Sequence, residues 1–381
     1  MTIAWRVCTL LRPELMPSPV ILKTAQAARI SCLSATSRDK NAEALSKDAA
    51  ASRTPRSDGL VRVAHEHAVF LDNQELTMRG FVDAISLLIA ALGVGVAWWA
   101  WSLLFLVTHQ PRPTETSTLS SVVGWVIALG VGALVASCFA LAIRGFRDGM
   151  FGPKFLPIVF NRQTRKVYHF STDSDYSIPL WDSLRHPFKS RPLLVIEYDW
   201  ACLEAEYVPL ETRIRGRTLI QHILNFYARD WPGSDTVVHG FFMATPEGRQ
   251  RALDLWEFIR RFMEEDGPVL NPGDKPAPDF PATLLQSARS TASWWWLPLV
   301  GSFVWSLLQW WEHGLQMVGG RLHHILWFCA ITFGGVTTMS IFFNWLTFRF
   351  FGQDVTLPLV QLAEAGKPLD LKRLAAEAHT P

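Results

Sequence analysis

The sequence predicts a polytopic α-helical membrane protein of about four spans in two hairpins, with an α+β domain inserted between them on the cytoplasmic side. Three observations predict it. Four apolar segments stand out: Phe81–Val107, Leu119–Ile143, Trp294–Trp311 and Ile325–Phe348. Many of the 17 Trp lie at the ends of such segments, where aromatic belts meet the membrane surface. Basic residues gather on one side, as cytoplasmic loops require.

The first segment is free of charge from Ile85 to Val107 and would rise ~35 Å as a helix, enough to cross hydrocarbon ~30 Å thick with tilt. The second and fourth carry no charge. The third is shorter. It runs from Trp294, Trp295 and Trp296 to Trp310 and Trp311, with Pro298 in its first turn, where a missing N–H costs least. Arg144, Arg147, Lys154 and Arg162 follow the second segment, and Arg349, Lys367, Lys372 and Arg373 follow the fourth. The two short connections carry only Arg112 and Arg321. The expected layout is a disordered tail over 1–60, a first hairpin over 81–143, a cytoplasmic domain over 144–285, a second hairpin over 294–348 and a cytoplasmic tail over 349–381. Both termini then face the cytoplasm of a bacterial inner membrane.

Charged residues are 18% of the chain, against ~25% in soluble domains. The net charge of +2 supplies no basic field for nucleic acid, which is excluded as a partner. Cys8, Cys32, Cys138, Cys202 and Cys329 form no CxxC pair, which leaves packed thiols rather than a disulfide framework or zinc site. Residues 34–58 are rich in Ala, Ser, Lys, Arg and Asp, a composition that does not pay for order on its own.

The central segment reads as strands at Leu156–Asn161, Lys166–Ser171, Leu193–Tyr198, Ala205–Leu210 and Val237–Ala244, with Arg217–Ala228 ambiguous between strand and helix. Thr245 as N-cap and Pro246 at the first position open a helix, whose apolar stripe is Ala252, Leu255, Trp256, Ile259, Phe262 and Met263. Gly267 and Pro268 stop it. This α+β order resembles a pleckstrin-homology-like barrel. Residues 269–283 form a Pro-rich tether.

No GxxxxGK[ST], GxGxxG, HExxH or GxSxG motif is present, so no catalytic residue, cofactor or metal ligand is assigned and a non-enzymatic role is expected. His65, Glu66 and His67 form a polar cluster, and His313, His323 and His324 flank the second outer connection. Both sets read as solvated or interface-seeking side chains, because a metal site needs a fuller ligand set. Asp83 lies near the inner end of the first span and is expected to pair with Arg79 at the surface. Rows of small residues, Ala91 and Gly95, Ala128, Gly132 and Ala136, and Ala330, Gly334 and Thr338, permit close helix approach or a homo-oligomer. Arg144 and Arg147 suit anionic headgroups of the lipid bilayer.

The stretches GFRDGMFGPKFLPIVFNRQTRKVYHF (145–170) and WEFIRRFMEEDGP (256–268) resemble an uncharacterised proteobacterial membrane-protein family, a domain of unknown function found beside type VI secretion effector genes. The positions that carry the resemblance are Arg147, Asp148, Pro157, Asn161, Arg162, Trp256, Arg260 and Arg261, and all of these except Pro157, with Arg144, are the candidate interaction or lipid-contact residues. The resemblance implies an accessory or immunity protein linked to type VI secretion, with a secretion component or toxin as protein partner. A channel, transporter or pore-forming effector is the alternative, weakened by the lack of polar groups inside the spans. A membrane-tethered enzyme ranks below both.

Overall fold

The computed structural model describes residues 20–24, 42–73, 79–109, 118–172, 193–214, 217–244, 248–291, 339–352, 354–355 and 358–377. Strands β1 (Val20–Thr24), β2 (Glu43–Leu45), β3 (Val61–His65) and β4 (Ala68–Asp72) precede two long helices, α1 (Arg79–His109) and α2 (Thr118–Met150). Next come β5 (Pro157–Asn161), β6 (Lys166–Thr172), β7 (Leu193–Asp199), β8 (Leu203–Ile214), β9 (Arg217–Arg229) and β10 (Val237–Ala244). Helices α3 (Arg249–Glu264) and α4 (Leu284–Thr291) follow. A helical stretch at 339–346 runs into a π-helical turn, Thr347–Phe351, before α5 (Leu359–Glu364), β11 (Pro368–Leu369) and α6 (Leu371–Glu377).

The strands form two sheets, β1-β7-β6-β5-β4-β3-β11 and β10-β9-β8-β2. The pair β1–β7 is parallel and the others are antiparallel. Alternation along each strand sorts side chains between two cores. Ile158, Phe160 and Val167 of the large sheet meet Phe226 and Phe241 of the small sheet and Trp256 and Phe262 of α3. On the opposite face, Phe70, Val159, Phe170 and Val195 are covered by Val355, Ala365 and Phe280. A single 3₁₀ turn, Trp200–Cys202, carries the chain from one sheet to the other.

This architecture overturns the four-span helical class. The body is a mixed α/β fold of two sheets, and among the described residues only α1 and α2 are long and apolar enough to cross a membrane. Trp294–Trp311 and residues 325–338 of the fourth segment lie outside the described residues. The pleckstrin-homology-like barrel is replaced as well, because β1, β3, β4 and β11 come from outside 144–285 and join the large sheet. The expected tails contribute structure. Residues 20–24 pair with β7, 43–45 pair with β8, and Pro368–Leu369 pair with β3. The predicted strand at 237–244 coincides with β10, and the ambiguous segment is β9. Thr245 and Pro246 lie outside the described residues, and Gly248 caps α3 with no side-chain bond.

Residues 46–58 form a strap across α3. Ala51 N–H donates to Glu257 (3.0 Å), Ser57 N–H to Asp274 (2.7 Å) and Arg56 N–H to the Asp254 carbonyl (3.1 Å), while the Ser52 hydroxyl donates to the Asp254 carboxylate. The Trp256 indole reaches the Ser46 carbonyl at 3.3 Å, and Lys47 lies over the Trp200 ring. These polar partners order a segment whose composition alone would not.

His169 of β6 is buried between the sheets, stacked on Phe241 at 4.8 Å, and neither ring nitrogen has a hydrogen-bond partner among the described residues. Burial, and then the nearby His239, push its pKa down to about 3. Ile158, Ile196, Tyr198 and Phe241 are its apolar or neutral surroundings, and the Tyr198 hydroxyl bonds the His239 Nδ1 at 2.7 Å. The folded state holds His169 neutral, so its contribution is complete above its ordinary value of 6.5 and is lost as pH falls from there toward 3. Thermal unfolding between pH 7 and 5 is therefore expected to show a decline that His169→Phe reduces by about 1 kcal/mol or more per pH unit below the ordinary value. Identical pH slopes for the two proteins would contradict this.

Candidate membrane interface

Helices α1 and α2 form the connection between β4 and β5, which are hydrogen-bonded neighbours with Asp72 opposite Pro157. A two-residue turn would join such strands. Here the chain instead leaves the sheet for a 31-residue helix and returns by a 33-residue helix. Their most apolar stretches, Asp83–Ser102 and Leu129–Arg147, rise about 30 Å and 28 Å, close to one hydrocarbon thickness.

The apolar side chains of this hairpin face outward. Trp98 is 73% exposed, Trp101 65% and Leu129 71%, and Leu87, Leu88, Val94, Leu134 and Leu141 are exposed too. Only 19% of the α1 stretch and 11% of the α2 stretch is buried inside the protein. A soluble core helix of this composition would be covered. The Ser102 and Ser137 hydroxyls donate to the carbonyls four residues earlier, Trp98 (2.9 Å) and Ala133 (2.8 Å), which satisfies them without water.

At its base the hairpin closes on the body. Asp83 is fully buried, not the surface residue expected, and it sits against Gly149 of α2. Arg147 is also buried. Phe146 meets Phe343 edge-on at 5.8 Å, and Phe151 meets Phe351 at 5.4 Å, so the stretch at 339–351 packs beside the end of α2. Lys154 pairs with Asp354 at 2.9 Å. A Cβ added at Gly149 would stand 2.6 Å from the Asp83 carboxyl carbon. Gly149→Ala is expected to cost about 1–3 kcal/mol by overpacking. Gly132→Ala, whose methyl meets nothing within 4 Å, should be neutral or favourable by up to about 1 kcal/mol. Chemical unfolding of both variants in one detergent measures the contrast.

The small-residue rows do not join α1 to α2. Among the described residues an added Cβ at Gly95 or Gly132 meets nothing within 4 Å, and Ala91 and Ala136 are exposed. Close approach occurs instead at Gly93, whose added Cβ would lie 3.2 Å from Cys138 Cβ. Ala330, Gly334 and Thr338 lie outside the described residues.

The predicted interaction residues separate into two places. Arg144 is exposed near the hairpin base, and Asp148 lies on the last turns of α2. Asn161, Arg162, Trp256, Arg260 and Arg261 belong to the body. The Asn161 carboxamide accepts the N–H groups of Gln163 (3.0 Å) and Thr164 (3.3 Å), which shapes the β5–β6 turn. Arg162 donates to the carbonyls of Gly267 (3.0 Å) and Glu66 (2.7 Å), and Arg165 to that of Met263. Arg165 thus caps the end of α3, where the helix dipole favours positive charge, and Arg162 ties the chain just past that end to the turn between β3 and β4. Trp256 is core. Arg260 is buried between Glu257 (2.8 Å) and Glu265 (2.7 Å), and Arg261 bonds Glu257 at 2.7 Å. The strap lies along the Asp254 and Glu257 side of α3 and reaches Arg260 through the Lys47 carbonyl at 3.3 Å.

His65 Nδ1 lies 3.0 Å from the Gly366 carbonyl, and the amides of Glu66 and His67 donate to Lys367 and Ala365. That cluster is a turn bound to the C-terminal segment. No set of three or more His, Cys, Asp or Glu side chains suited to a metal ion occurs among the described residues. His313, His323 and His324 lie outside them.

Residues 135–334 match the model of a family of unknown function, DUF6708, and the chain belongs to that family. No curated protein and no solved structure matches the chain.

Proposed function

We propose that this member of a family of unknown function is a non-enzymatic, membrane-anchored interaction protein, held in the bilayer by the α1–α2 hairpin. The observation that carries the reading is the outward apolar surface of two helices inserted between adjacent strands. In water that surface costs about 25 cal/mol for each Å² left exposed, and a bilayer removes the cost. The exposed Arg144 at the base, against the lone Arg112 in the connection between the helices, favours the body on the cytoplasmic side.

The body supports a binding role more than a chemical one. Its buried ionisable side chains on α3, Asp254, Glu257 and Arg260, bind the strap and one another. A bacterial inner membrane, and a secretion component or toxin as partner, rest on the sequence resemblance to type VI secretion neighbours. Washing membranes that hold the expressed chain with alkaline carbonate tests the anchor. Retention in the pellet is expected, and release into the supernatant would overturn the reading.

A further inference from the structure

A second apolar surface continues the hairpin at its base. Helix α4 lies against the helical stretch at 339–346. The Ser287 hydroxyl donates to the Ile341 carbonyl at 2.7 Å, Asn344 donates to Ser287 at 3.3 Å, and the Trp345 indole donates to the Ala282 carbonyl at 3.1 Å. Ser287 and Asn344 are buried, so the Ser287 side of α4 faces the protein. The side with its two leucines does not. Leu285 is 64% exposed, Leu284 is exposed beside it, and Met339 and Phe342 are exposed on the neighbouring stretch. Through Phe343 and Phe146 this stretch is locked to the last turns of α2.

Two arginines flank the surface. Arg144 on α2 and Arg289 in the last turn of α4 are exposed, and neither has an acidic partner among the described residues. Exposed leucines beside exposed arginines are the chemistry of an element lying in a headgroup layer. The leucines enter the acyl boundary and the guanidinium groups meet phosphate.

We infer that α4 and the stretch at 339–346 form an interfacial collar that binds anionic phospholipid headgroups through Arg144 and Arg289, with Leu284 and Leu285 buried in the membrane surface. The inference rests on the proposed bilayer anchor and adds the depth of the body and the class of lipid. It places the membrane surface at α4, where the sequence alone shows only the end of a tether. Charge complementarity and continuity with the apolar hairpin select a bilayer over a protein as the occupant.

The test uses the full chain with its native cysteines replaced and Leu285→Cys carrying an environment-sensitive fluorophore. It is reconstituted in phosphatidylcholine vesicles with or without phosphatidylglycerol, with acyl chains brominated near the headgroup. Quenching is expected, with the phosphatidylglycerol vesicles quenching more. Arg144→Glu with Arg289→Glu should erase the excess, since each arginine contributes about 1 kcal/mol, or about fivefold enrichment, at an anionic surface. Absence of quenching overturns the collar. Quenching without any phosphatidylglycerol preference, or a preference unchanged in the double variant, overturns the headgroup assignment. Alkaline washing of the same labelled protein reports the anchor separately. Retention without quenching sinks the collar and leaves the anchor standing, whereas release with quenching sinks the anchor and leaves a peripheral collar.

Discussion

Trp256→Ala is expected to cost about 3–5 kcal/mol, the range for removing a large aromatic side chain from a core. The indole is fully buried, stacks on Trp200 at 5.9 Å and touches Phe226 at 6.2 Å. Its N–H holds the Ser46 carbonyl at the start of the strap. Domains are stable by only about 5–15 kcal/mol, so this one truncation removes a large share. Trp256→Phe keeps most of the ring contact and loses the indole donor, which should cost less. Denaturant midpoints of the three proteins measure the series. A loss below about 1 kcal/mol for the alanine variant would show that Trp256 does not anchor this core.

Glu257→Ala is expected to cost about 2–4 kcal/mol, because it removes a fully buried carboxylate that holds Arg260, Arg261 and the Ala51 amide, leaving Arg260 with Glu265 as its carboxylate. Glu257 is fully buried and accepts from Arg260, Arg261 and the Ala51 amide. Burial pushes its carboxyl pKa up, and the hydrogen bonds from Arg260, Arg261 and Ala51 outweigh burial and hold it below the ordinary 4.5. Its stabilising share is therefore present above that value and fades as pH falls through the lowered one. Arg260 also donates to the Lys47 carbonyl at 3.3 Å, so loss of Glu257 should loosen the strap. Tryptic cleavage after the exposed Arg53 and Arg56 is expected to speed up before the remainder of the body is cut. Unchanged cleavage there would mean that the strap is held by other contacts.

What the sequence made legible follows hydrophobic pattern. The two helices of the hairpin are long apolar runs, β10 is a short apolar segment broken only by His239 and Gly240, and all three stand where the pattern put them. In β9 the inner residues Leu224, Phe226 and Ala228 are buried, yet Ile223 and Tyr227 on the outer face are partly covered too. Two half-apolar faces blur the period of two. The strap was read as disordered because its order comes from Ser52, Ser57 and Ala51 bonding to Asp254, Asp274 and Glu257, about 200 residues away. No local composition signals such partners.

The candidate site was legible in part. Apolar length predicted α1 and α2, but not that they depart from adjacent strands of one sheet. Arg260 and Arg261 were singled out as candidates for a partner, and Glu257, three and four residues before them, binds both and buries the first. Helix α4 has only eight residues, too short for a periodic signal, and its exposed leucines gain meaning only beside Phe342 and Arg144.

The central claim is that α1 and α2 lie in hydrocarbon while the two-sheet body stays in water. Spin labels at Trp98→Cys and Leu134→Cys, with Arg229→Cys as the body control, test it in the full chain reconstituted in vesicles. Hydrocarbon depth predicts strong relaxation of the first two labels by oxygen, weak relaxation by a water-soluble nickel chelate, and the reverse at position 229. Equal access of the nickel chelate to all three positions would contradict the account.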